Sequence, residues 1–469
     1  MRFLLFILMA CLTIFAKAHA QTVEDKPFEL NGSLQLDDRI RLKSGGFDWQ
    51  EYRMSLQPVY KVNDKARLHA DIWIRKLITA SPFDQPVENV QLREAYVDLY
   101  GFLSEHIDVR IGRQRIAWGT ADRLNPSDNI NPWELEDFWD FGRHTPTNSL
   151  LTKYYWNGFT LTAVFTPRFS PSLLPDQSWK AAFMPEVPDR WQIPLPDGTM
   201  TDNILLQPLS VSRMENLPER KLKASTYAVK IARDIRNYTV SFGWLRQYAP
   251  IPVLTRLSVQ GKITSLPTSP NTPVPMNTTV DAMLSYSLRN VVSADFSGSL
   301  GSVGVWGEAA LFIPEKTILT RSISIESPMG TFNPVLPDST IFDGNPYLKY
   351  TLGFDYTFSA NIYLNVQYVH GFFHEEGRKS LTDWLAWTCE WKSADEKLKL
   401  SLLNGAFQVA DFNNIKEGCT LFWLPELSYK PVDNVELKAG AHCIFAGKDA
   451  PFYPIRKNGD AYLKVKYSF

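Results

Sequence analysis

From Phe28 to Lys43 apolar and polar residues alternate along the chain. Phe28, Leu30, Gly32, Leu34, Leu36, Ile40 and Leu42 hold the even positions, and Glu29, Asn31, Ser33, Gln35, Asp37, Arg39, Arg41 and Lys43 hold the odd ones, with only Asp38 out of place. A strand sends successive side chains to opposite faces, so this period of two predicts a strand with one face in oil and one in water. Tyr52, Met54, Leu56, Pro58 and Tyr60 repeat the pattern against Arg53, Ser55, Gln57 and Lys61. After Asn63-Asp64-Lys65 it returns as Ala66, Leu68, Ala70, Ile72 and Ile74 against Arg67, His69, Asp71 and Arg75. Runs of this kind joined by a short polar turn read as hairpins.

Continued to Phe469, the pattern predicts about eighteen strands near 28–43, 51–62, 66–75, 90–100, 106–112, 149–156, 159–166, 222–232, 238–247, 278–296, 303–312, 347–358, 361–370, 381–392, 398–406, 419–430, 435–445 and 460–469. Short turns alternate with connections that are mostly longer, among them 113–148, 167–221 and 313–346. An even count of alternating strands, with short turns at one end and long loops at the other, predicts an all-β transmembrane antiparallel up-and-down barrel with short periplasmic turns and long extracellular loops. Closure leaves no strand edge unpaired. Tyr60, Phe296, Tyr356, Phe358, Trp391, Tyr429, Tyr467 and Phe469 end the outward series on the short-turn side, where an interfacial aromatic girdle belongs. A large secreted β-sandwich would also alternate, but its long loops need not segregate to one end.

The start of the chain sets the expected compartment. Arg2, the apolar run Phe3 to Ala16 and Ala18-His19-Ala20 have the order of a secretory signal, so residues 1–20 are expected to be cleaved, with 21–469 as one barrel in the bacterial outer membrane. Leu8-Met9-Ala10-Cys11 has the order of a lipid-attachment box, but the apolar segment runs on past Cys11. Arg2 and Lys17 lie in the leader, leaving 47 basic against 50 acidic residues, a balance that excludes a nucleic-acid binder by bulk charge. Cys389, Cys419 and Cys443 remain, an odd number without CxxC, so no disulfide framework, metal site or cofactor is expected. Their parity predicts lipid-facing thiols.

Alternation fails in "RIGRQRIAWGTADRLNPSDNINPWELEDFWDFGRH", residues 110–144. Two Asn-Pro pairs punctuate it, and the segment 113–148 is expected to fold into the barrel. Gly112-Arg113-Gln114, Trp118-Gly119, Asn125-Pro126-Ser127-Asp128 and Asn131-Pro132 resemble a family of proteobacterial outer-membrane porin-like barrels. The stretch from Ala294-Asp295-Phe296 to Trp306-Gly307-Glu308-Ala309 is similar to a second pattern of that family. The resemblance implies a transport-type barrel and brings no substrate with it. The final Phe469 likewise resembles the C-terminal signature read by the barrel-assembly machinery of Gram-negative bacteria.

Charge supplies the candidate site. Arg39, Arg41, Lys43, Arg53, Arg75, Arg93 and Arg110 fall on lumen-facing positions of the first five strands, followed by Arg113 and Arg115, while Asp128, Glu134, Glu136, Asp137 and Asp140 lie in the loop. A basic wall facing an acidic ledge would create a field across a constriction. Alternatively, the charges simply pair and solvate a wide lumen. Trp133, Phe138, Trp139 and Phe141 are expected to pin the loop to the wall or to line a solute path. The segment 167–221 is rich in proline and reads as a long external loop. "HGFFHEE" places His370 and His374 four apart, but it follows a strand and reads as an exposed loop. No GxSxG nucleophile motif accompanies the histidines. The expected function is a channel, not an enzyme, passing small polar, anionic solutes through outer-membrane lipid. An outer-membrane hydrolase or a structural sleeve around a conduit or secretion partner are the rivals. Oligomeric state is not legible.

Overall fold

The computed structural model describes residues 27–469 apart from 84–85, 141, 184–189, 195–199, 265–273, 329, 334 and 359–360, with side chains of 190–194, 200–208 and 274 also outside the description. The expected leader and Phe141 therefore lie outside the described residues. An 18-stranded antiparallel barrel closes on itself. Its wall runs β1 (Phe28–Arg41), β2 (Phe47–Asn63), β3 (Ala66–Thr79), β4 (Val90–Leu99), β5 (Ile107–Gln114), β6 (Thr147–Trp156), β7 (Phe159–Thr166), β8 (Thr226–Ile235), β9 (Tyr238–Tyr248). It continues β10 (Leu288–Leu300), β11 (Val303–Pro314), β12 (Tyr347–Phe358), β13 (Ile362–His370), β14 (Asp383–Lys392), β15 (Leu398–Ser401 and Gly405–Val409), β16 (Cys419–Trp423 and Glu426–Val432), β17 (Val435–Ala446) and β18 (Asp460–Ser468).

Each wall strand pairs with its sequence neighbour, and β18 returns to β1 in a register running from Ser33 opposite Ser468 to Arg41 opposite Asp460. At this seam Gly32 and Phe469 exchange backbone hydrogen bonds of 2.8 and 3.0 Å. The period of two sorts the wall as expected. Leu30, Ile74, Phe242, Leu352 and Leu463 are exposed on the outside, whereas Asp37, Arg39, Glu51, Arg75, Asp295 and Glu308 are buried inside. Tyr60, Phe296, Phe358, Trp391 and Tyr429 are exposed outward near the short turns. Cys389, Cys419 and Cys443 stand opposite Leu364, Val409 and Trp423. All three thiols are free.

Three departures from strict alternation shape the lumen. Between Asp71 and Ile72 the β3–β4 register shifts. Arg93 and Glu94 are consecutive, yet Arg93 is buried against the loop and Glu94 accepts an inward hydrogen bond of 2.7 Å from Arg115 N–H. In β15 a turn at Leu402-Leu403-Asn404 interrupts the ladder, with the Asn404 side chain accepting the free Cys389 N–H at 2.8 Å. β1 ends at Arg41, so Lys43 is an exposed turn residue and not a lumen-facing strand residue.

The long loops contain more order than the sequence suggested. The predicted strand 278–296 is two elements, Val274–Ser285 and β10, joined at Tyr286-Ser287. Val274–Ser285 belongs to a second, seven-stranded sheet with Val253–Ile263, Thr317–Ser327, Met200–Asn216, Arg190–Pro194, Gly330–Phe332 and Ser339–Phe342. It is built from the connections β7–β8, β9–β10 and β11–β12. Two of its pairings are parallel and join segments far apart in sequence. Part of 167–221, read from the sequence as a long external loop, thus contributes strands to this sheet.

Candidate functional site

The connection between β5 and β6, residues 115–146, enters the lumen. Two residues before β5 ends, at Gly112, φ is +135° and a Cβ would stand 2.3 Å from the Ala95 carbonyl oxygen, so glycine alone fits there. Asn131 then ties the loop's two ends together. Its Oδ1 accepts Ile116 N–H at 2.8 Å, and its Nδ2 donates to the Gln114 carbonyl at 3.1 Å and Thr147 Oγ1 at 3.0 Å. This satisfies backbone groups that the broken strand leaves orphaned, which a buried segment requires.

Far from its origin the loop is held by the opposite wall. Glu308 of β11, only 2% exposed, accepts Ser127 N–H at 2.7 Å, Ser127 Oγ at 2.6 Å, Thr120 N–H at 2.9 Å and Ala121 N–H at 3.1 Å. A Cβ on Gly119 would meet the Glu308 carboxylate at 2.3 Å, which explains the glycine beside Trp118. Thr351 and Gln367 donate to the Leu124 and Asp122 carbonyls at 2.8 and 3.0 Å, and Arg289 donates to Asn129 Oδ1 at 3.0 Å. Trp118, 1% exposed, packs with Ile116, Ile130, Leu245, Val291 and Phe312. The two sequence patterns, around Trp118 to Asp128 and around Glu308, therefore meet in space. The anchoring role of Glu308 was missed because its four donors lie about 180 residues away in sequence.

The loop then doubles back to the first strands. Arg39 donates to Asp137 at 2.8 Å, Arg75 to Glu136 at 2.6 and 2.8 Å, and Arg93 to Glu134. Arg143, within the loop, approaches Glu134 at 2.9 Å, Asp140 at 3.0 Å and Glu136 at 3.5 Å. Trp73 lies beneath this network, with the guanidinium carbons of Arg53 and Arg93 at 4.2 and 4.4 Å from its ring centroid. Burial alone would raise the Glu134 carboxyl, but Arg143 and Arg93 outweigh it and hold it below the usual range. Asp137 is likewise held well below, burial being overcome by Arg39. Arg143 loses to burial but gains more from its four carboxylates and ends above its ordinary value.

The remaining predicted residues divide. Arg41 pairs with Asp48 at 2.6 Å, Arg110 with Asp98 at 3.0 Å, and Arg53 donates to Gln35 at 2.8 Å, all within the wall. Arg115 pairs with Asp128 inside the loop itself. Arg113 stands opposite Ala95 and donates to the Arg93 carbonyl at 3.1 Å, and among the described residues neither Arg113 nor Arg115 forms an ion pair with Glu134, Glu136 or Asp137. Trp133 packs on His144 and Phe373, with centroids 4.1 and 4.5 Å away. Phe138 stacks on Trp179 at 4.4 Å and Trp139 on His442 at 4.3 Å. His374 is not in an exposed loop: Phe183, Phe372, Phe373 and Phe452 surround it, and burial, reinforced by Lys349, pushes its imidazole down to about 3.

One large space remains beside the loop, a cavity of about 490 Å³ bounded by β13–β18. Phe138, Trp139, Phe372, Trp384, Phe422 and Phe452 line its aromatic portion. Asp122, Arg123, Asn365, Glu390, Lys399, Glu426 and Lys438 line its polar portion. Lys399 pairs with Glu390 at 3.1 Å and Lys438 with Glu426 at 3.3 Å. Arg123 is exposed at φ 63° and makes no ion pair among the described residues.

A closed antiparallel wall, apolar outside and polar inside, with a long loop folded across its lumen, defines a transmembrane β-barrel. No protein-family model matches the sequence, and no curated protein matches it. Solved structures similar in architecture include the outer membrane protein OpdK from Pseudomonas aeruginosa, at 10% identity and TM-score 0.46, covering 94% of this chain and 98% of that one. Salmonella typhi OmpF in complex with daunomycin gives 8% identity and TM-score 0.37, covering 94% and 97%. An anion-selective porin from Comamonas acidovorans gives 10% and 0.37, covering 94% and 99%.

Proposed function

We propose that this chain is an outer-membrane channel for small solutes, narrowed by the loop 115–146. The observation that carries the reading is the loop's attachment to both sides of the lumen, through Glu308 on one side and Arg39, Arg75 and Arg93 on the other. A loop that served only as a stopper would not need to leave a half-polar cavity beside it. No feature among the described residues favours the hydrolase or sleeve readings over this one.

Selectivity is proposed to be weak. The basic positions expected to attract anions are mostly neutralised by carboxylates at 2.5–3.0 Å, so their field over the path is short-ranged. A small anion preference is assigned to Arg123, which has no such partner among the described residues. The test is the zero-current potential of purified protein in a planar bilayer under a salt gradient. A small anion bias is expected, reduced or inverted by Arg123→Glu and largest at low salt. A strongly cation-selective channel, or absence of any conductance, would refute the proposal.

A further inference from the structure

The wall is interrupted where it borders the cavity. β14 pairs with β15 at Asp383–Trp387 and again at Trp391–Lys392, and among the described residues Thr388, Cys389 and Glu390 have no register partner on that side. Between these points β15 runs one residue longer than β14, and the surplus is the turn at Leu402-Leu403, 53% and 65% exposed. Outward-facing indoles hold the turn: Trp423 Nε1–H donates to the Leu402 carbonyl at 2.9 Å and Trp387 Nε1–H to that of Leu403. A Cβ on Gly405 would stand 3.1 Å from the Trp387 ring, so this indole lies against bare backbone at the break. On the lumen side Thr388, Glu390, Asn404 and Gly405 line the cavity, and Trp387, although of the outward series, borders it as well. The Asn404 side chain, bonded to the Cys389 N–H at 2.8 Å, and the Trp387 indole therefore close the break between lumen and lipid. Irregular backbone at membrane depth persists only where it is buried in protein or lines a cavity, because polar groups left in hydrocarbon are costly. Here three side chains supply bonds that a continuous ladder would supply.

Resting on the channel reading above, we infer that the break between β14 and β15 is a lateral portal, through which a single-chain amphiphile with a zwitterionic head group passes between the cavity and the bilayer. The head group meets the Glu390–Lys399 and Glu426–Lys438 pairs, which border the cavity with their members 3.1 and 3.3 Å apart. Opposite charges side by side suit a head group that carries both signs, whereas a net charge is repelled by one member of each pair. The alkyl chain lies in the break against Trp387 and Leu403. By this route the head group stays in the wet lumen and the chain stays in apolar surroundings, so neither pays the cost of the wrong solvent.

The native Cys389 thiol, beside the break on the outer face, is the reporter. With Cys419 and Cys443 replaced by Ala, the full chain in phosphatidylcholine liposomes is treated with a charged, membrane-impermeant maleimide, and modification is followed by mass spectrometry. The control is Phe354→Cys with all three native cysteines replaced by Ala. Phe354 is exposed on the outside two strands away, in register with Trp387 through Val366 on unbroken ladder. A thiol in hydrocarbon stays protonated and unreactive, so Cys389 is expected to react about tenfold or more faster than the control, and faster still with Trp387→Ala. Lysophosphatidylcholine added as a minor lipid is expected to slow modification of Cys389, whereas glycerophosphocholine, the same head group without a chain, leaves it unchanged. The gel shift on heating checks that each variant is folded. Cys389 no more reactive than the control with and without Trp387→Ala, equal protection by glycerophosphocholine, or no protection by either compound would overturn the inference. Planar-bilayer recording separates the two readings: a reactive, lysolipid-protected Cys389 without conductance leaves the portal standing and refutes the channel. Conductance with an unreactive Cys389 does the reverse.

Discussion

At the residue scale, the loop depends on a few side chains with several bonds each. Removing the Glu308 carboxylate leaves three backbone N–H groups and one hydroxyl inside the barrel without an acceptor. Unmaking buried hydrogen bonds to a charged group costs about 1.5–3 kcal/mol apiece before relaxation. Glu308→Ala is therefore expected to release the loop's far anchor and raise single-channel conductance, with the heat-dependent gel shift of the barrel retained. Gly119→Ala should act in the same direction by displacing that carboxylate. Unchanged conductance in both variants would show that the loop does not set the narrowest point. Cys389, Cys419 and Cys443 face outward, so replacing all three by Ala is expected to leave folding and conductance intact.

At the scale of elements, the loop 115–146 and the connection 371–382 between β13 and β14 respond differently to acid. Glu134 and Asp137 have carboxyls held below their usual range, so the docking they provide is present above the ordinary carboxyl pKa and is lost only as pH falls through the lower folded values. Loop 115–146 is expected to stay protected from hydrogen exchange at pH 5. His374 has the opposite consequence. With its folded pKa near 3 against an ordinary 6.5, an opened segment 371–382 takes up a proton between those values and the closed one does not. Stability of that segment is complete above about 6.5 and falls as pH drops toward 3. Exchange rates corrected for intrinsic pH dependence should show 371–382 opening more at pH 5 than at pH 7.5, and His374→Phe should flatten the difference. Equal opening at both pH values in the parent would refute it.

At the scale of the molecule, stability rests on closing the seam between β1 and β18. The ring of Phe469 lies over Gly32, where a Cβ would come within 2.6 Å of it, and the paired backbones of the two residues extend the ladder. Phe469→Ala removes that cover without removing the backbone bonds. It is expected to lower the temperature at which the folded band converts on a gel and to leave the folded barrel's strand-dominated circular dichroism unchanged. Assembly through recognition of Phe469 is a separate proposal, read from folding yield in cells against yield in detergent. The protein is expected in the outer-membrane fraction. Recovery as a soluble periplasmic protein would contradict the membrane placement.

Local sequence carried the wall almost completely, because a period of two states which face each residue takes, and burying one face in lipid penalises every slip of register. The predicted ranges for β7 and β12 match the structure to the residue. Local sequence also marked where the wall stops, through Asn125-Pro126 and Asn131-Pro132, and which charges cluster there. It did not reveal that Glu94 is turned inward together with its neighbour Arg93 at a register shift, because a bulge depends on the partner strand. Nor did it show the sheet formed by 200–216, 253–263, 274–285 and 317–327, whose parallel pairings join distant segments. The site was decided by tertiary structure in the same sense. Arg39 meets Asp137 across 98 positions, and Glu308 meets Ser127 across 181. A carboxylate chooses its partner by distance in a low-dielectric interior, and only the closed barrel sets those distances.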